Sequence, residues 1–406
     1  MNRHLRILFG MGAIGLLVSC EDSPTPPVAL DHTTPVLHSD LGGTDTGTVL
    51  PQGPYVPVDL GTLGGGLAQA NAINNSGAIV GQMQDTGRVT HAILWVNGVM
   101  QDLGGLGGNS SVAVGINEEG DIVGVSTIPD GTPYVVVWKN GAIETLGPRS
   151  ASFTNAFLNQ RGDVAWTAPA PGGAHALFWR AGVAQDLGTL GGPTSIATGI
   201  NDAGVVIGSL LNGRAGDAFV WSNGRMQVVP APDSGFLNTA DAINNRGWVS
   251  GHIEVNKFIT FVEKGWVWDG QSVTLIPILQ STDDSLGVPI AITERGDVFG
   301  NDFNQAGDFP HPFLWSHQAL TYLNPAKTTQ HVLAVNDRGI ASGWEPSGFH
   351  SEHAIVLDNG NSWNLGVFSG GTDGESQGLN LNIRGDVVGF STSGGGRHAA
   401  LWRRVR

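Results

Sequence analysis

The sequence predicts an all-β fold, a β-propeller of eight four-stranded blades. Three observations lead to this prediction. One short motif recurs eight times, each copy contains signals for four short strands, and the composition combines 61 glycines with only 14% charged residues. Many short strands joined by glycine turns have such a composition, and repeats of about 40 to 50 residues are typical of propeller blades.

The motif consists of an apolar strand, a four-residue turn and a second apolar strand, as in GINDAGVVIGS from Gly199 to Ser209. The turn begins with Asn, replaced once by Thr, and ends with Gly, which supplies the positive φ that a tight reversal needs. Successive copies are 42 to 49 residues apart. Their first turn residues are Asn74, Asn117, Asn159, Asn201, Asn244, Thr293, Asn336 and Asn382.

Two more strands complete each unit. The third strand ends in Trp or, in one copy, Leu, and most copies then have a two-residue hairpin signal such as Asn97-Gly98, a strong predictor of a tight antiparallel turn. The fourth strand often ends in Asp-Leu-Gly, as at Asp102. Consecutive hairpins predict antiparallel sheets, which excludes a parallel β-helix. The residues that end the third strands are Trp95, Trp138, Trp179, Trp221, Trp268, Trp315, Leu357 and Trp402.

The two ends of the repeat region indicate how the ring closes. A lone fourth strand, from Val58 to Leu63, precedes the first motif, and the chain stops four residues after Trp402 without a fourth strand. We expect the first strand to complete the last blade, which would leave no exposed sheet edge at the junction. An open superhelix of the same units is the alternative.

The N-terminus predicts export and lipid attachment. Basic residues precede the apolar run from Ile7 to Val18, which is too short to span a bilayer and is typical of a secretory signal. Leu-Val-Ser-Cys, ending at Cys20, resembles the lipobox of bacterial lipoproteins, which implies cleavage before Cys20 and diacylation of its sulfur. An ordinary signal peptide with an incidental cysteine is the alternative. We therefore predict a signal peptide at 1–19, a Pro/Thr/Gly-rich disordered tether at 20–55 and the repeat domain at 56–406.

Composition limits the partners. The formal net charge is −15 with only 20 Lys and Arg residues, so a nucleic-acid surface is not expected. We expect a monomer held at the membrane by its lipidated N-terminus, outside the cytoplasm, at the cell surface or in the periplasm. A cell-surface protein or a polysaccharide is the expected ligand, and no cofactor is predicted.

Three linked motifs carry a resemblance to a known family. The combination of DLGTLGG, GINxxGxVVG and His-Ala-x-x-Trp resembles the HAF repeat family of extracellular bacterial proteins, over roughly 56–406. No copy contains His-Ala-Phe itself, and Asp217-Ala218-Phe219 comes closest. The resemblance implies an extracellular location and a repeat fold, and it leaves the function open.

The repeated polar residues have both structural and functional interpretations. Asn and Asp of the turn could bind calcium, but the residues after Asn vary and include Arg, so a structural turn is favoured. The histidines that begin several third strands are expected to bond the backbone of their own or a neighbouring blade. These histidines are His91, His175, His311, His353 and His398.

Departures from the repeat are the better candidates for function. Trp166, Trp248 and Trp344 have no counterpart in most copies and could form a sugar or peptide platform, although extra packing explains them equally well. His350 and Glu352 are weak metal candidates, and no metal site is predicted otherwise.

A binding scaffold is the favoured function. The alternative is a glycan-processing hydrolase or lyase with acidic residues in the propeller channel, for which Asp283, Asp284 and Glu294 are candidates by residue type. Calcium-dependent adhesion is a third, weaker hypothesis. No catalytic residue is assigned.

Overall fold

The computed structural model describes residues 53–405 apart from 151–155, 214, 234, 258–259, 278–285, 304–309, 328, 348–350, 369–373 and 394–395. All regular secondary structure in this part of the chain is β. Within it, no helix is long and apolar enough to cross a membrane. The predicted signal peptide, Cys20 and most of the predicted tether lie outside the described residues.

The strands form successive four-stranded units. Unit 1 contains β2 (Gly64–Ile73), β3 (Ile79–Asp85), β4 (Thr90–Val96) and β5 (Val99–Asp102). Unit 2 contains β6 (Ser111–Ile116), β7 (Ile122–Thr127), β8 (Pro133–Lys139) and β9 (Ala142–Thr145). Unit 3 contains β10 (Ala156–Leu158), β11 (Val164–Ala170), β12 (Gly173–Arg180) and β13 (Val183–Asp186). Unit 4 contains β14 (Thr194–Ile200), β15 (Val206–Asn212), β16 (Ala215–Ser222) and β17 (Arg225–Val228).

The second half of the chain repeats this order. Unit 5 contains β18 (Leu237–Ile243), β19 (Val249–Lys257), β20 (Thr260–Trp268) and β21 (Val273–Leu275). Unit 6 contains β22 (Leu286–Ile292), β23 (Val298–Phe303), β24 (His311–Ser316) and β25 (Ala319–Tyr322). Unit 7 contains β26 (His331–Val335), β27 (Ala341–Pro346), β28 (Glu352–Asp358) and β29 (Asn361–Gly366). Unit 8 contains β30 (Ser376–Leu381), β31 (Val387–Ser393), β32 (Gly396–Arg404) and, from the other end of the repeat region, β1 (Tyr55–Gly61).

Within each unit, consecutive strands pair antiparallel. Six units are separate four-stranded sheets, while units 4 and 5 join into one eight-stranded sheet through the parallel pairing of Gly216 with Leu237. In the first strand of seven units the register shifts by one residue, as between Ala197 and Gly199. Such a bulge inserts one residue and redirects its side chain.

The turn chemistry follows from the sequence. Gly204 has φ of 80° at the end of the Asn turn, as predicted. In the hairpin between β4 and β5, Asn97 and Gly98 have φ of 51° and 82°, so both central residues are left-handed, as a type I′ turn requires.

The core lies between neighbouring units. Ile207 and Val220 of unit 4 pack with Ile253 and Trp266 of unit 5, and all four are buried. Burying such a side chain is worth roughly 1.5–3 kcal/mol. Because each unit buries its apolar faces against its neighbours, the units stabilise one another.

The N-terminal strand closes the ring, as predicted. Strand β1 pairs antiparallel with β32, from Tyr55 opposite Arg404 to Gly61 opposite Ala399. Leu60 of β1 is buried in the cluster that joins unit 8 to unit 1. The open superhelix is therefore not the architecture of this chain.

The antiparallel order gives the ring two different ends. At one, called the turn end, lie the Asn turns and the hairpins between third and fourth strands. At the other, called the loop end, lie the loops between second and third strands and the connections between units.

Candidate functional site

A chain of asparagine side chains links the units at the turn end. Asn201 shows the pattern: its Oδ1 accepts from the backbone N–H of Ala203 and Val205, and its Nδ2 donates to the carbonyl of Asn244 in the next unit at 3.0 Å. The same donation joins successive pairs around the ring, and Asn382 reaches Asn74 at 3.5 Å. The other pairs are Asn74–Asn117, Asn117–Asn159, Asn159–Asn201, Asn244–Thr293 and Asn336–Asn382.

The residue after each Asn also links units, which the sequence analysis did not recognise. The N–H of Gln160 donates to Oδ1 of Asp202 at 2.9 Å, and the N–H of Asp202 donates to Oδ1 of Asn245 at 2.8 Å. Asp202 therefore has a structural role, and seven of the eight residues at this position offer an oxygen acceptor, the exception being Ile383. The acceptors around the ring are Asn75, Glu118, Gln160, Asp202, Asn245, Glu294 and Asp337.

Four of the five repeated histidines bond side chains at the loop end and not the backbone that was expected. His91 Nδ1 lies 2.7 Å from Asp102 Oδ2, while Asp102 Oδ1 accepts from the N–H of Gly104. The Asp102 carboxylate raises the pKa of His91. The pair thus ties the third strand to the Asp-Leu-Gly turn. Equivalent pairs are His175–Asp186, His398–Asp59 and, with an amide in place of the carboxylate, His353–Asn364.

The residue after this histidine anchors the next unit. The N–H of Ala176 donates to Ser195 Oγ at 2.9 Å, and Ser195 Oγ donates to the carbonyl of Gly188. The same contact joins Ala92 to Ser111 and Ala354 to Ser376. The His-Ala and Asp-Leu-Gly motifs are therefore parts of one junction between units.

The structure does not bring the three candidate tryptophans together. Trp166 is fully buried among residues of units 2 and 3, so it presents no face to a ligand. Trp248 lies at the turn end, close against Gly296 of the next unit. Trp344 lies at the loop end, where its ring meets His331 edge-on at 5.2 Å. Only Trp344 combines partial exposure with a place among the loops.

The remaining candidates do not converge either. His350, Asp283 and Asp284 lie outside the described residues. Glu352 forms a hydrogen bond with Gln377, and Glu294 is an acceptor in the turn-end ring. Among the residues that the structure describes, no group of three His, Cys, Asp or Glu side chains is arranged to hold a metal ion.

The most unusual group of titratable side chains lies in unit 5, on the long hairpin of β19 and β20. His252 Nδ1 bonds Asp241 Oδ2 at 2.7 Å, and Glu254 and Glu263 face each other as strand partners two residues further along. Burial alone would lower the pKa of His252, but Asp241, Glu263 and Glu254 raise it overall to about 9. Burial raises the pKa of both glutamates. The sequence signal for this group is the spacing of 49 residues from Asn244 to Thr293, which reflects an insertion in this blade.

Unit 7 contains a second departure, a polar network that is fully paired. Glu345 accepts from Lys327, Gln330 and Asn364 at 2.7–3.0 Å. Burial alone would raise the pKa of Glu345, but these hydrogen bonds lower it overall. This network joins units 6 and 7. Gln330 and Glu345 are both buried, so the network presents no accessible carboxylate to a ligand.

Comparisons with known proteins support the fold. No protein-family model and no curated protein matches the sequence. The β-propeller domain of the Trilobed protease from Pyrococcus furiosus matches with a TM-score of 0.51 and 11% identity, over 73% of this chain and 97% of that one. The prediction of an all-β propeller is confirmed. That domain is described as having an open velcro topology, whereas here β1 pairs with β32.

Two other solved structures are more distant. A puromycin-hydrolysing peptidase from Mycobacterium tuberculosis has a TM-score of 0.47 at 13% identity, over 77% of this chain and 55% of that one. Virginiamycin B lyase from Staphylococcus aureus has a TM-score of 0.43 at 12% identity, over 76% of this chain and 97% of that one. At these identities the similarity concerns the fold and not the activity.

Proposed function

We propose that this chain is a lipid-anchored, extracytoplasmic propeller that serves as a binding scaffold. One observation carries the proposal: the repeated polar residues form the junctions between units. Asn201 and Asp202 hold the turn end, while His175 and Asp186 hold the loop end. The chemistry that recurs in every unit is thus structural, which leaves ligand recognition to side chains that differ between units.

The differing side chains concentrate at the loop end. Trp344 with His331 in unit 7 and the Glu254–Glu263 pair in unit 5 are departures from the repeat on that end. A rigid ring that presents variable loop residues suits recognition of a surface protein or a polysaccharide, because binding residues are commonly carried on loops held by a rigid framework.

The lipid anchor is tested by fractionating cells. The motivating feature is the Leu-Val-Ser-Cys segment that ends at Cys20. We expect the unmodified chain in the membrane fraction and the Cys20→Ser chain in the soluble extracytoplasmic fraction. Without the lipid, only the short apolar run from Ile7 to Val18 could contact the bilayer, and a single short apolar group binds a bilayer weakly. Retention of Cys20→Ser in the membrane fraction would contradict lipid attachment through this residue.

Ligand binding is tested with arrays of glycans and of cell-surface proteins. The full chain is compared with Trp344→Ala, which removes a half-buried aromatic face at the loop end, and with Trp248→Ala, the matched change at the turn end. We expect a ligand whose signal falls with Trp344→Ala and persists with Trp248→Ala. An equal loss in both variants would indicate a general folding defect and count against a loop-end site.

The alternative function is glycan processing by acidic residues. The observation that favours it is the Glu254–Glu263 pair, because two carboxyls with raised pKa values could divide the roles of acid and base. Release of reducing sugar from a polysaccharide panel, lost in Glu263→Gln, would establish the enzyme and displace the scaffold proposal.

A further inference from the structure

The two ends of units 4 to 6 differ in charge. At the turn end, the four acids Asp202, Asp269, Glu294 and Asp297 are accompanied by the three arginines Arg225, Arg246 and Arg295. Asp202 and Glu294 accept backbone N–H groups, and Asp297 accepts the Ser316 hydroxyl. Asp269 accepts backbone N–H groups of its own hairpin. The acids at this end are therefore largely offset by arginines, and each of them accepts a hydrogen bond.

The loop end of the same units is acidic. We call the acidic face the loop end of these units, where Asp217, Asp233, Asp241, Glu254 and Glu263 are at least partly exposed and Asp302 is buried. Two lysines at this end have side chains that the structure describes, and both are paired: Lys264 with Asp233 at 2.5 Å, and Lys327, in the connection to unit 7, with Glu345 at 2.9 Å. His252 compensates Asp241. The other carboxyl groups have no cationic side chain bonded to them in the part of the chain that the structure describes.

Several of these carboxyl groups are poorly compensated. Glu254 and Glu263 are strand partners on the long hairpin, and neither has a hydrogen bond or ion pair through its side chain to a described residue. The opposing charge that lowers the pKa of both is the shared His252, although burial raises each pKa overall. Two carboxylates held side by side and partly desolvated are stabilised by any cation that reaches them.

Asp302 in the neighbouring unit is an independent instance. Its side chain is 6% exposed, Oδ2 accepts from the Tyr322 hydroxyl at 2.6 Å, and Oδ1 is buried without a hydrogen-bond partner. A buried carboxyl oxygen without a donor is costly, and burial raises the pKa of Asp302. Two adjacent units thus both have acids at the loop end with at least one carboxyl oxygen that has no donor among the described residues.

We propose that the acidic face docks a lysine- or arginine-rich segment of a partner protein. Ammonium and guanidinium groups supply the charge and the hydrogen-bond donors that Glu254 and Glu263 lack. The proposal rests on the proposed binding role and specifies the chemistry of the partner; it does not depend on the lipid anchor. A divalent cation is the competing occupant, although the described acids are not arranged as a metal-binding group.

The test uses the full chain in non-ionic detergent and fluorescein-labelled octalysine as the probe, with binding followed by fluorescence anisotropy at about 20 mM and about 200 mM salt. The variant is Glu254→Gln with Glu263→Gln. The matched control, Glu118→Gln with Glu294→Gln, removes the same charge at the turn end and keeps an oxygen acceptor at each position. Thermal melting of both proteins verifies that they fold.

We expect octalysine to bind the unmodified chain, more weakly at the higher salt. The loop-end double variant should weaken binding about fivefold or more, and the turn-end control should change it less than about twofold. Equal weakening in both variants, or no binding at low salt, would overturn the inference. So would a melting shift with Ca²⁺ alone that the loop-end variant abolishes, since the face would then be a metal site.

The two proposals fail in distinguishable ways. If octalysine does not bind but the array yields a ligand that depends on Trp344, the binding role stands and the cationic partner is wrong. If neither assay yields binding while both proteins melt cooperatively, the scaffold proposal itself is wrong.

Discussion

At the scale of single residues, the side-chain amide of the asparagine that begins each turn makes two kinds of hydrogen bond. Its oxygen closes its own turn and its nitrogen bonds the next unit, as Asn244 does with Trp248 and Thr293. Thr293 makes only the hydrogen bond that closes its own turn. Its hydroxyl accepts from the N–H of Asp297, but it cannot also reach the carbonyl of Asn336. The link from unit 6 to unit 7 therefore lacks one hydrogen bond that the other junctions have.

Replacing Thr293 with Asn should restore that bond. We expect Thr293→Asn to raise the free energy of unfolding by about 1 kcal/mol, the typical net value of a buried hydrogen bond. Urea denaturation measures the change, with Asn244→Thr as the mirror control, for which a loss of about 1–3 kcal/mol is expected. A destabilised Thr293→Asn chain would show that this junction cannot accommodate the amide.

The residue scale also shows what the sequence could and could not predict. The Asn-x-x-Gly turn was predictable because its geometry is local. The role of Asp202 was not predictable, because its partner is the backbone of Gln160 in another unit. The residue types at this position differ between units, which obscured the fact that nearly all of them offer a side-chain oxygen. The His175–Asp186 pair did leave a signal: a spacing of 11 residues that recurs at His91–Asp102.

At the scale of elements, the hairpin of β19 and β20 differs most from its counterparts. Both strands have nine residues, whereas β15 and β16 of the preceding unit have seven and eight. The added length carries Glu254 and Glu263 beyond His252. The insertion was visible in the sequence, but the approach of His252 to Asp241 was not. That approach depends on the register between β18 and β19 and on the bulge in β18.

This hairpin should make stability depend on pH in the alkaline range. The pKa of His252 is about 9 in the folded chain and 6.5 ordinarily, so its contribution is complete below pH 6.5 and disappears as the pH rises through 9. We expect the stability difference between the unmodified chain and His252→Gln to shrink across this window. Denaturation at several pH values measures it, and a constant difference would mean that the histidine is uncharged throughout.

At the scale of the whole molecule, closure by β1 removes the exposed edge of β32 and completes the cores on both sides of unit 8. Leu60 packs between units 8 and 1, and Tyr55 packs between units 7 and 8. Tyr55 and Leu60 are 3% and 5% exposed. The closing strand was predictable because it is the one copy of the fourth strand that lies out of order in the sequence. The hydrogen bonds across the junction, such as Ile383 to Asn75, could be assigned only once the ring was known to close.

A chain that begins at Thr62 should lose this closure. Leu60 and Tyr55 would no longer be buried, at a cost of roughly 1.5–3 kcal/mol each, and β32 would present a free edge. We expect a lower melting temperature and self-association, measured by light scattering during size-exclusion chromatography. Addition of a peptide with the sequence of β1 should reverse both effects. A monomer with unchanged melting would show that β1 is dispensable.

The position of β1 also has a mechanical consequence. The chain that precedes the ring joins it at Tyr55, whose strand partner is Arg404, while the N–H of Val405 donates to the carbonyl of Pro54. Any pulling force transmitted through that chain acts first on the bonds between β1 and β32. Force resistance is governed by the rate at which the loaded contacts rupture. The strand that fastens the ring is thus also the first element that tension at the N-terminus would load.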